Sequence, residues 1–346
     1  MSDSFTLLHM RFPAIVLAIA AVTLPAAAQD IHVHVDPHGD GSIASSTDYK
    51  TIQNALDHAP QPPAPYRLVI EITPGTYNER VNVTRLRPRV TLLGMGKQPQ
   101  DTVITASMNA KEAGGTYFTE TLQVNADDFA ADNLTVANTA GNTGQAVAAL
   151  VRSDRAVFKH VRFLGNQDTL FADFGRQYYL DSYIEGGVDF IFGNATAVFD
   201  HSEIHSISHG YLTAQSRTEP DQTTGYVITN STVTASAPTP QGTGLYMTRQ
   251  GFFLGRPWRP YSRVIVMHTE LPATLQPAGW SKWKTNDPTP KAFYAEYENS
   301  GPGWKPKDRA YWSHQLTAKE AAAFEPQRFL SGNDRWAPIT AAAHLP

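Results

Sequence analysis

Six short segments of the chain repeat one pattern of polar and apolar positions. Each begins with a polar residue, continues through two mixed positions and ends on a large apolar residue. The segments are 133–136, 160–163, 181–184, 201–204, 230–233 and 268–271, and their last positions fall 20 to 38 residues apart. Strand-like repeats at intervals of roughly 20 to 30 residues are typical of a solenoid of β-coils, in which longer intervals carry loop insertions.

A parallel β-helix, an all-β fold, explains this spacing best, because each coil buries its apolar positions against the coils above and below. The alternative is a β-sandwich, in which turns would fall about every 8–12 residues. Two helix-like stretches stand apart from the strands, at 51–58 and 317–324. We expect the first to cap the open N-terminal end of the solenoid, as solenoid ends require.

The composition agrees with a turn-rich β protein and narrows the possible partners. The chain has 346 residues, with 24 Gly, 24 Pro and only 17% charged residues. Its formal net charge is −4, without the excess of basic residues that is typical of nucleic-acid-binding proteins, so we expect no nucleic-acid partner. There is no Cys, which excludes disulfides, thiolate metal sites and a lipid-modified cysteine anchor. We expect a monomer without a membrane anchor.

The first 28 residues are typical of an export signal. A weakly basic start (His9, Arg11) precedes an apolar stretch at 14–24 and a small-residue pattern at 26–28. The apolar stretch is too short to span a bilayer. We therefore predict a signal peptide at 1–28 and a single catalytic domain at 29–346, exported to the periplasm or secreted outside the cell.

Two carboxylates and two primary amides share the spacing of one coil. Asp168 and Asp189 are 21 positions apart, and Gln145 precedes Gln167 by 22. Equivalent positions on neighbouring coils of a parallel β-helix stack about 4.8 Å apart, so these four groups would converge. Two carboxylates so placed titrate as a pair, and one can hold a proton while the other is ionised. The ionised group can attack an ester carbonyl, the protonated group can supply a proton, and the amides can stabilise an oxyanion. From the residues alone, the two Asp roles remain interchangeable.

Five segments, in this order along the chain, resemble the signature motifs of the pectin methylesterases, or pectinesterases. The segments are 75–79, 144–148, 165–170, 189–193 and 254–258, and weaker likeness runs from about residue 30 to residue 283. The resemblance implies a right-handed parallel β-helix and a cofactor-free aspartyl esterase that acts on pectin. Such an enzyme belongs to pectin degradation and cell-wall modification.

The resemblance also assigns roles to individual residues. It implies that Asp189 is the nucleophile and Asp168 the general acid and then base. It implies that Gln167 and Gln145 stabilise the oxyanion and that Arg256 holds the nucleophilic carboxylate. Trp258 and Phe192 would line the cleft for the sugar chain.

Phe192 conflicts with a simple strand through this motif. If 188–192 formed one regular strand, alternation would place Phe192 on the face opposite Asp189. A contact between Phe192 and substrate therefore requires the strand to end or bend.

Two other groups of residues could be mistaken for functional ones. Glu79 follows a turn before the next predicted strand at 81–84, and we favour a structural role for it. His201, His205 and His209 have a spacing of four residues but fall in predicted strand and loop. We therefore predict that they bind no metal, and we expect the protein to need no metal or cofactor.

These observations lead to three functional hypotheses. The first is a pectin methylesterase that hydrolyses the C6 methyl esters of homogalacturonan to pectate and methanol. The second is another β-helix enzyme, either a pectate lyase, which would be expected to use Ca²⁺ bound by clustered acidic residues, or a polygalacturonase. The third is a non-catalytic β-helix that binds carbohydrate.

Overall fold

The computed structural model describes residues 29–37, 48–236, 251–283 and 287–345. The predicted signal peptide at 1–28 lies outside these ranges. The strands of the described part are β1 (Ile31–Val35), β2 (Asp48–Tyr49), β3 (Leu68–Ile72), β4 (Gly75–Asn78), β5 (Val81–Val83), β6 (Val90–Gly94), β7 (Thr102–Ala106), β8 (Leu122–Val124), β9 (Ala130–Asn138), β10 (Ala149–Arg152), β11 (Ala156–Leu164), β12 (Leu170–Phe174), β13 (Arg176–Leu180), β14 (Tyr183–Gly186), β15 (Ile191–Gly193), β16 (Thr196–Asp200), β17 (Glu203–Ser206), β18 (Tyr211–Gln215), β19 (Gly225–Thr229), β20 (Thr232–Ala235), β21 (Phe253–Gly255), β22 (Arg263–Met267), β23 (Phe293–Tyr297) and β24 (His314–Gln315).

The strands stack as the coils of a parallel β-helix, which confirms the predicted fold class. One sheet contains seven strands in chain order, β5, β8, β10, β12, β15, β18 and β21, each one coil beyond the last. The remaining strands form a second, larger sheet that wraps the other sides of the solenoid. The pairings in both sheets are parallel, as between β10 and β12 or β14 and β17.

The repeated four-residue pattern has the register that the sequence predicts. Its apolar last positions pair from coil to coil, with Phe163 opposite Ile184 and Ile184 opposite Ile204. All of these side chains are buried. The polar first positions have left-handed backbone, with φ between 49° and 56°. Three of them, Asp181, His201 and Asn230, lie at a corner between two strands, whereas Asn133 and His160 lie within β9 and β11. Asn and Asp tolerate that conformation better than most residues, which explains part of the polar preference.

Stacked side chains fill the interior and the corners. Phe158, Tyr179 and Phe199 form a column of parallel rings with centroids 4.9 and 4.7 Å apart. At the corner, the backbone N–H of Ser182 donates to the hydroxyl of Ser202 on the next coil, and the N–H of Ser202 donates to Ser231. These contacts satisfy buried backbone donors at the bend, where the regular ladder is interrupted.

The helices lie at the N-terminal end and on the outside of the solenoid. They are α1 (Ile52–His58), α2 (Ala110–Ala113), α3 (Ala318–Ala321), α4 (Pro326–Leu330) and α5 (Pro338–Ala343), with 3-10 turns at Pro99–Asp101, Thr116–Phe118, Pro306–Asp308 and Ala322–Phe324. The two predicted helical stretches are confirmed, as α1 and as α3 with its following turn. Leu330 of α4 and Ala342 of α5 pack in an apolar cluster with outward-facing strand residues such as Val198 and Val227. Within the described residues, no helix is long and apolar enough to cross a membrane.

Glu79 has the structural role that we favoured. Its two carboxylate oxygens accept hydrogen bonds from the backbone N–H groups of Ile52 (2.9 Å) and Gln53 (3.0 Å) at the start of α1. Thr51 caps the same helix by accepting from the N–H of Asn54. A negative charge at a helix N-terminus is stabilising, so Glu79 fixes the terminal helix to the second coil.

We predict that Glu79→Ala lowers the free energy of unfolding by about 1 kcal/mol, because two N–H groups at the helix start lose their acceptor. Urea denaturation of the purified protein measures the change. Thr76→Ala, an exposed position on the strand that precedes Glu79, is the matched control and should stay within about 0.5 kcal/mol. Equal effects of the two variants would show that Glu79 does not anchor the helix.

Candidate active site

Two successive turns of the solenoid hold the two carboxylates. Asp168 lies between β11 and β12, and Asp189 lies between β14 and β15. The backbone N–H of Asp168 donates to the carbonyl of Val188 at 3.1 Å, so the two turns are adjacent. Gln167 bridges to Gln145 on one side and to Val188 on the other. The predicted one-coil spacing is therefore correct for both pairs.

Left-handed backbone at the two Asp residues directs them out of the solenoid. The φ angles are 64° at Asp168 and 50° at Asp189. Phe190 and Ile191, which follow Asp189, are both buried in the main core. The segment 188–192 is thus not one regular strand, and β15 begins only at Ile191. This break in the alternation returns Phe192 to the outer face, which resolves the conflict found in the sequence.

Arg256 forms a bidentate ion pair with Asp189. Its Nε donates to Oδ1 at 3.0 Å and its Nη2 donates to Oδ2 at 2.6 Å. Arg256 follows β21 directly, and a Cβ at the preceding Gly255 would lie only 2.0 Å from the hydroxyl of Thr213. A residue without a side chain is needed there, because the chain must approach its neighbour closely before the arginine turns into the site.

The electrostatic surroundings separate the two carboxylates. Burial, and next the negative charge of Asp189, raise the pKa of Asp168 to about 8. Burial also raises the pKa of Asp189 above its ordinary value, but the hydrogen bonds and charge of Arg256 oppose that rise. Burial and the charge of Asp189 therefore favour the protonated form of Asp168, whereas Arg256 favours the ionised form of Asp189. A carboxyl group that tends to hold a proton thus lies beside one that an arginine favours in its ionised form.

An open cleft of about 460 Å³ surrounds these groups. All seven residues singled out from the sequence line it. The full lining is Thr116, Tyr117, Gln145, Gln167, Asp168, Phe171, Asp189, Phe192, Ala214, Arg256, Trp258 and Trp283. The rings of Phe171 and Phe192 stack with centroids 4.1 Å apart, and Trp258 lies 6.2 Å from Phe192. The carboxylates thus lie beside an apolar, aromatic wall.

Comparison with known proteins agrees with this geometry. A sequence model of the pectinesterase family matches residues 40–333. Pectinesterase 31 of Arabidopsis thaliana is 38% identical over 296 residues, which cover 82% of this chain and 89% of the relative. The chain belongs to the pectinesterase family. It is a carboxylic ester hydrolase, which favours the esterase hypothesis over the lyase, glycosidase and binding-protein alternatives.

Solved structures of family members have the same fold. The pectin methylesterase from carrot superimposes with a TM-score of 0.78 at 33% identity, covering 91% of this pectinesterase and 97% of the carrot chain. A pectin methylesterase mutant in complex with a hexasaccharide superimposes with a TM-score of 0.71 at 27% identity, covering 92% of this chain and 100% of the other.

Some relatives are much longer than this pectinesterase. The pectinesterase/pectinesterase inhibitor U1 of Solanum lycopersicum is 37% identical over 298 residues, which cover 83% of this chain and 50% of the relative. This chain therefore spans about half the length of that protein.

The sequence analysis did not single out five of the residues that line the cleft. Phe171 could have been found, because it pairs with Phe192 one coil later and so occupies the same outward position. Tyr117 and Trp283 could not, because they come from distant segments with no coil spacing to relate them to the site. Thr116 and Ala214 carry no distinctive chemistry.

The described residues contain no group of three or more His, Asp or Glu side chains placed to hold a metal ion. His205 lies between the hydroxyls of Thr234 and Ser236, at 2.7 and 2.9 Å. These contacts give it a structural role on an outer strand.

We predict that Asp189→Asn lowers the pKa of Asp168 from about 8, because the neighbouring negative charge disappears. The pKa should stay above that of an ordinary aspartate, since burial is the larger cause of the rise. NMR titration of the side-chain carboxyl carbon measures the shift. An unchanged Asp168 pKa would show that the two carboxylates do not interact.

Proposed function

We propose that this protein hydrolyses the C6 methyl esters of homogalacturonan through a covalent acyl-enzyme on Asp189. The products are methanol and the free carboxylate of pectate. The observation that carries the proposal is the pairing of two carboxylates in one cleft. Arg256 favours the ionised form of Asp189 through a bidentate ion pair, while burial and the charge of Asp189 raise the pKa of Asp168 to about 8.

The first step forms the acyl-enzyme. An oxygen of the Asp189 carboxylate attacks the ester carbonyl carbon, and the carbonyl oxygen becomes an oxyanion. The side-chain amides of Gln145 and Gln167 donate hydrogen bonds to that oxyanion. As the C–O bond to the methoxy group breaks, Asp168 gives its proton to the leaving oxygen, and methanol departs.

The second step releases the acid. Asp168 is now ionised and accepts a proton from water as that water attacks the acyl carbonyl. The bond to Asp189 breaks, the nucleophile returns as a carboxylate, and Asp168 is protonated again. Both steps use only protein side chains and water, so no metal or cofactor is required.

The aromatic wall supports a sugar polymer as the substrate. Phe192 and Trp258 offer flat apolar surfaces against which pyranose rings can pack beside the carboxylates. A pectin methylesterase mutant of the same fold forms a complex with a hexasaccharide, which supports a chain of sugars as the ligand here.

We also propose that the protein is exported. The predicted signal peptide at 1–28 supports this, and so does the substrate, because a polysaccharide of this size is met outside the cytoplasm. The exported protein would act in the periplasm or the extracellular medium.

We predict that the purified protein releases methanol from highly esterified pectin and that Asp189→Asn lowers kcat by about a thousandfold or more, because the nucleophile is lost. Asp168→Asn should lower kcat by about a hundredfold or more, because the leaving methoxide receives no proton. Methanol assays with all variants measure both effects.

Asp181→Asn is the matched control for these variants. Asp181 has the same left-handed backbone as Asp189, with φ of 49°, but lies at an outer corner of the solenoid. The Asp181→Asn variant should release methanol at the wild-type rate. Full methanol release by Asp189→Asn would refute the mechanism, and shortening of the polymer or an unsaturated, ultraviolet-absorbing product would favour a glycosidase or lyase.

We predict that expression of the full chain in a bacterial host gives an exported protein whose first residue is near Gln29. N-terminal sequencing of the periplasmic and culture fractions tests this. Retention of an uncleaved chain in the cytoplasm would contradict export.

A further inference from the structure

Two aromatic rings contact the guanidinium of Arg256 while it holds Asp189. The Cζ atom lies 3.9 Å from the ring centroid of Tyr211 and 4.0 Å from that of Trp283. These are the two shortest cation–ring distances in the described part of the chain. We propose that Tyr211 and Trp283 are positioning residues that clamp Arg256 and so keep the nucleophilic carboxylate ionised and oriented. This inference rests on the proposed role of Asp189.

The clamp is built from different parts of the solenoid. Tyr211 begins β18, one coil after the Asp189 turn, and stacks on Phe253 at 5.7 Å. Trp283 comes from a segment beyond the last strand of the seven-stranded sheet and packs against Trp258 at 6.5 Å. Both rings are therefore supported by further aromatic contacts, and neither is free to move away from the arginine without disturbing a neighbour.

Aromatic partners suit this arginine because they attract a cation without competing for it. The side chains of Arg256 and Asp189 are only 15% and 9% exposed, so a guanidinium here needs stabilisation that water does not supply. The face of an aromatic ring attracts the cation through its quadrupole. A second carboxylate would also attract the guanidinium, but it would accept some of the hydrogen bonds that Arg256 donates to Asp189. In the described structure, the Arg256 side chain donates its hydrogen bonds to Asp189 alone.

The clamp has a consequence for the pH dependence of the reaction. Asp189 must be ionised to attack, so the acidic side of the kcat/KM profile reports its ionisation. The charged groups facing it are Asp168 and Arg256, and the buried phenol of Tyr294 also interacts with its charge. Arg256 favours the charged form of Asp189. If Arg256 loses its restraint, that support weakens, and activity should fall at a higher pH than in the wild type.

Tyr211 gives the sharper test, because Trp283 lines the substrate cleft and Tyr211 is absent from that lining. We expect Tyr211→Leu to lower kcat for methanol release by about tenfold, with little change in KM. The acidic side of the profile should move to higher pH. Tyr211→Phe keeps the aromatic face and should recover most of the lost kcat and the original profile.

Tyr183→Leu controls for the loss of a large ring on an outer strand. Tyr183 also contacts an arginine, Arg162, at 5.0 Å, but on a different sheet away from the carboxylates. The Tyr183→Leu variant should have the kcat and the pH profile of the wild type. Circular dichroism and thermal denaturation of both variants show whether the fold is retained.

A second measurement separates positioning from simple packing. If Tyr211 acts through Arg256, then Tyr211→Leu should cause no further loss of kcat/KM in an Arg256→Met background. Additive losses, or a folded Tyr211→Leu protein with wild-type kcat and pH profile, would overturn the clamp. The proposed mechanism is tested separately, by methanol release from the Asp189→Asn variant.

Discussion

The parallel hydrogen-bond ladder between successive coils is the constraint on which the rest of this structure depends. It joins each strand to its equivalent one coil later, as between β11 and β14 or β12 and β15. Because the ladder sets a spacing of about 4.8 Å, residues separated by one coil in sequence become neighbours in space. The core columns, the serine contacts at the corner and the pairing of Asp168 with Asp189 all follow from this one rule.

The same stacking determines the electrostatics of the two acidic side chains. Stacking brings Asp168 and Asp189 onto adjacent turns inside a partly closed cleft, where two negative charges repel. The guanidinium of Arg256 contacts Asp189 and not its neighbour, so the two carboxyl groups become chemically distinct. This one arginine therefore stabilises the ionised form of Asp189 by both its hydrogen bonds and its charge.

Aromatic residues have two separate uses in this fold. Inside the solenoid, Phe158, Tyr179 and Phe199 stack in a column that stabilises the coils. Outside it, the rings around the cleft form an apolar wall and contact the arginine. The interior rings follow the coil spacing, whereas several of the outer rings come from loops. A solenoid keeps its ladder regular and varies its loops, so it can change a site without changing its core.

The sequence by itself determined the fold class, the coil register and the residues that meet at the carboxylate pair. It could do so because a repeating ladder converts spacing along the chain into proximity, as for Gln145 with Gln167 and Asp168 with Asp189. Only the tertiary structure decided the outward path of Phe192, which depends on left-handed backbone at Asp189. It also decided the packing of α4 and α5 and the contacts of Tyr117 and Trp283 with the cleft. Those features arise between segments that no coil period relates, so their proximity depends on loop paths and side-chain packing that one sequence does not encode as a pattern.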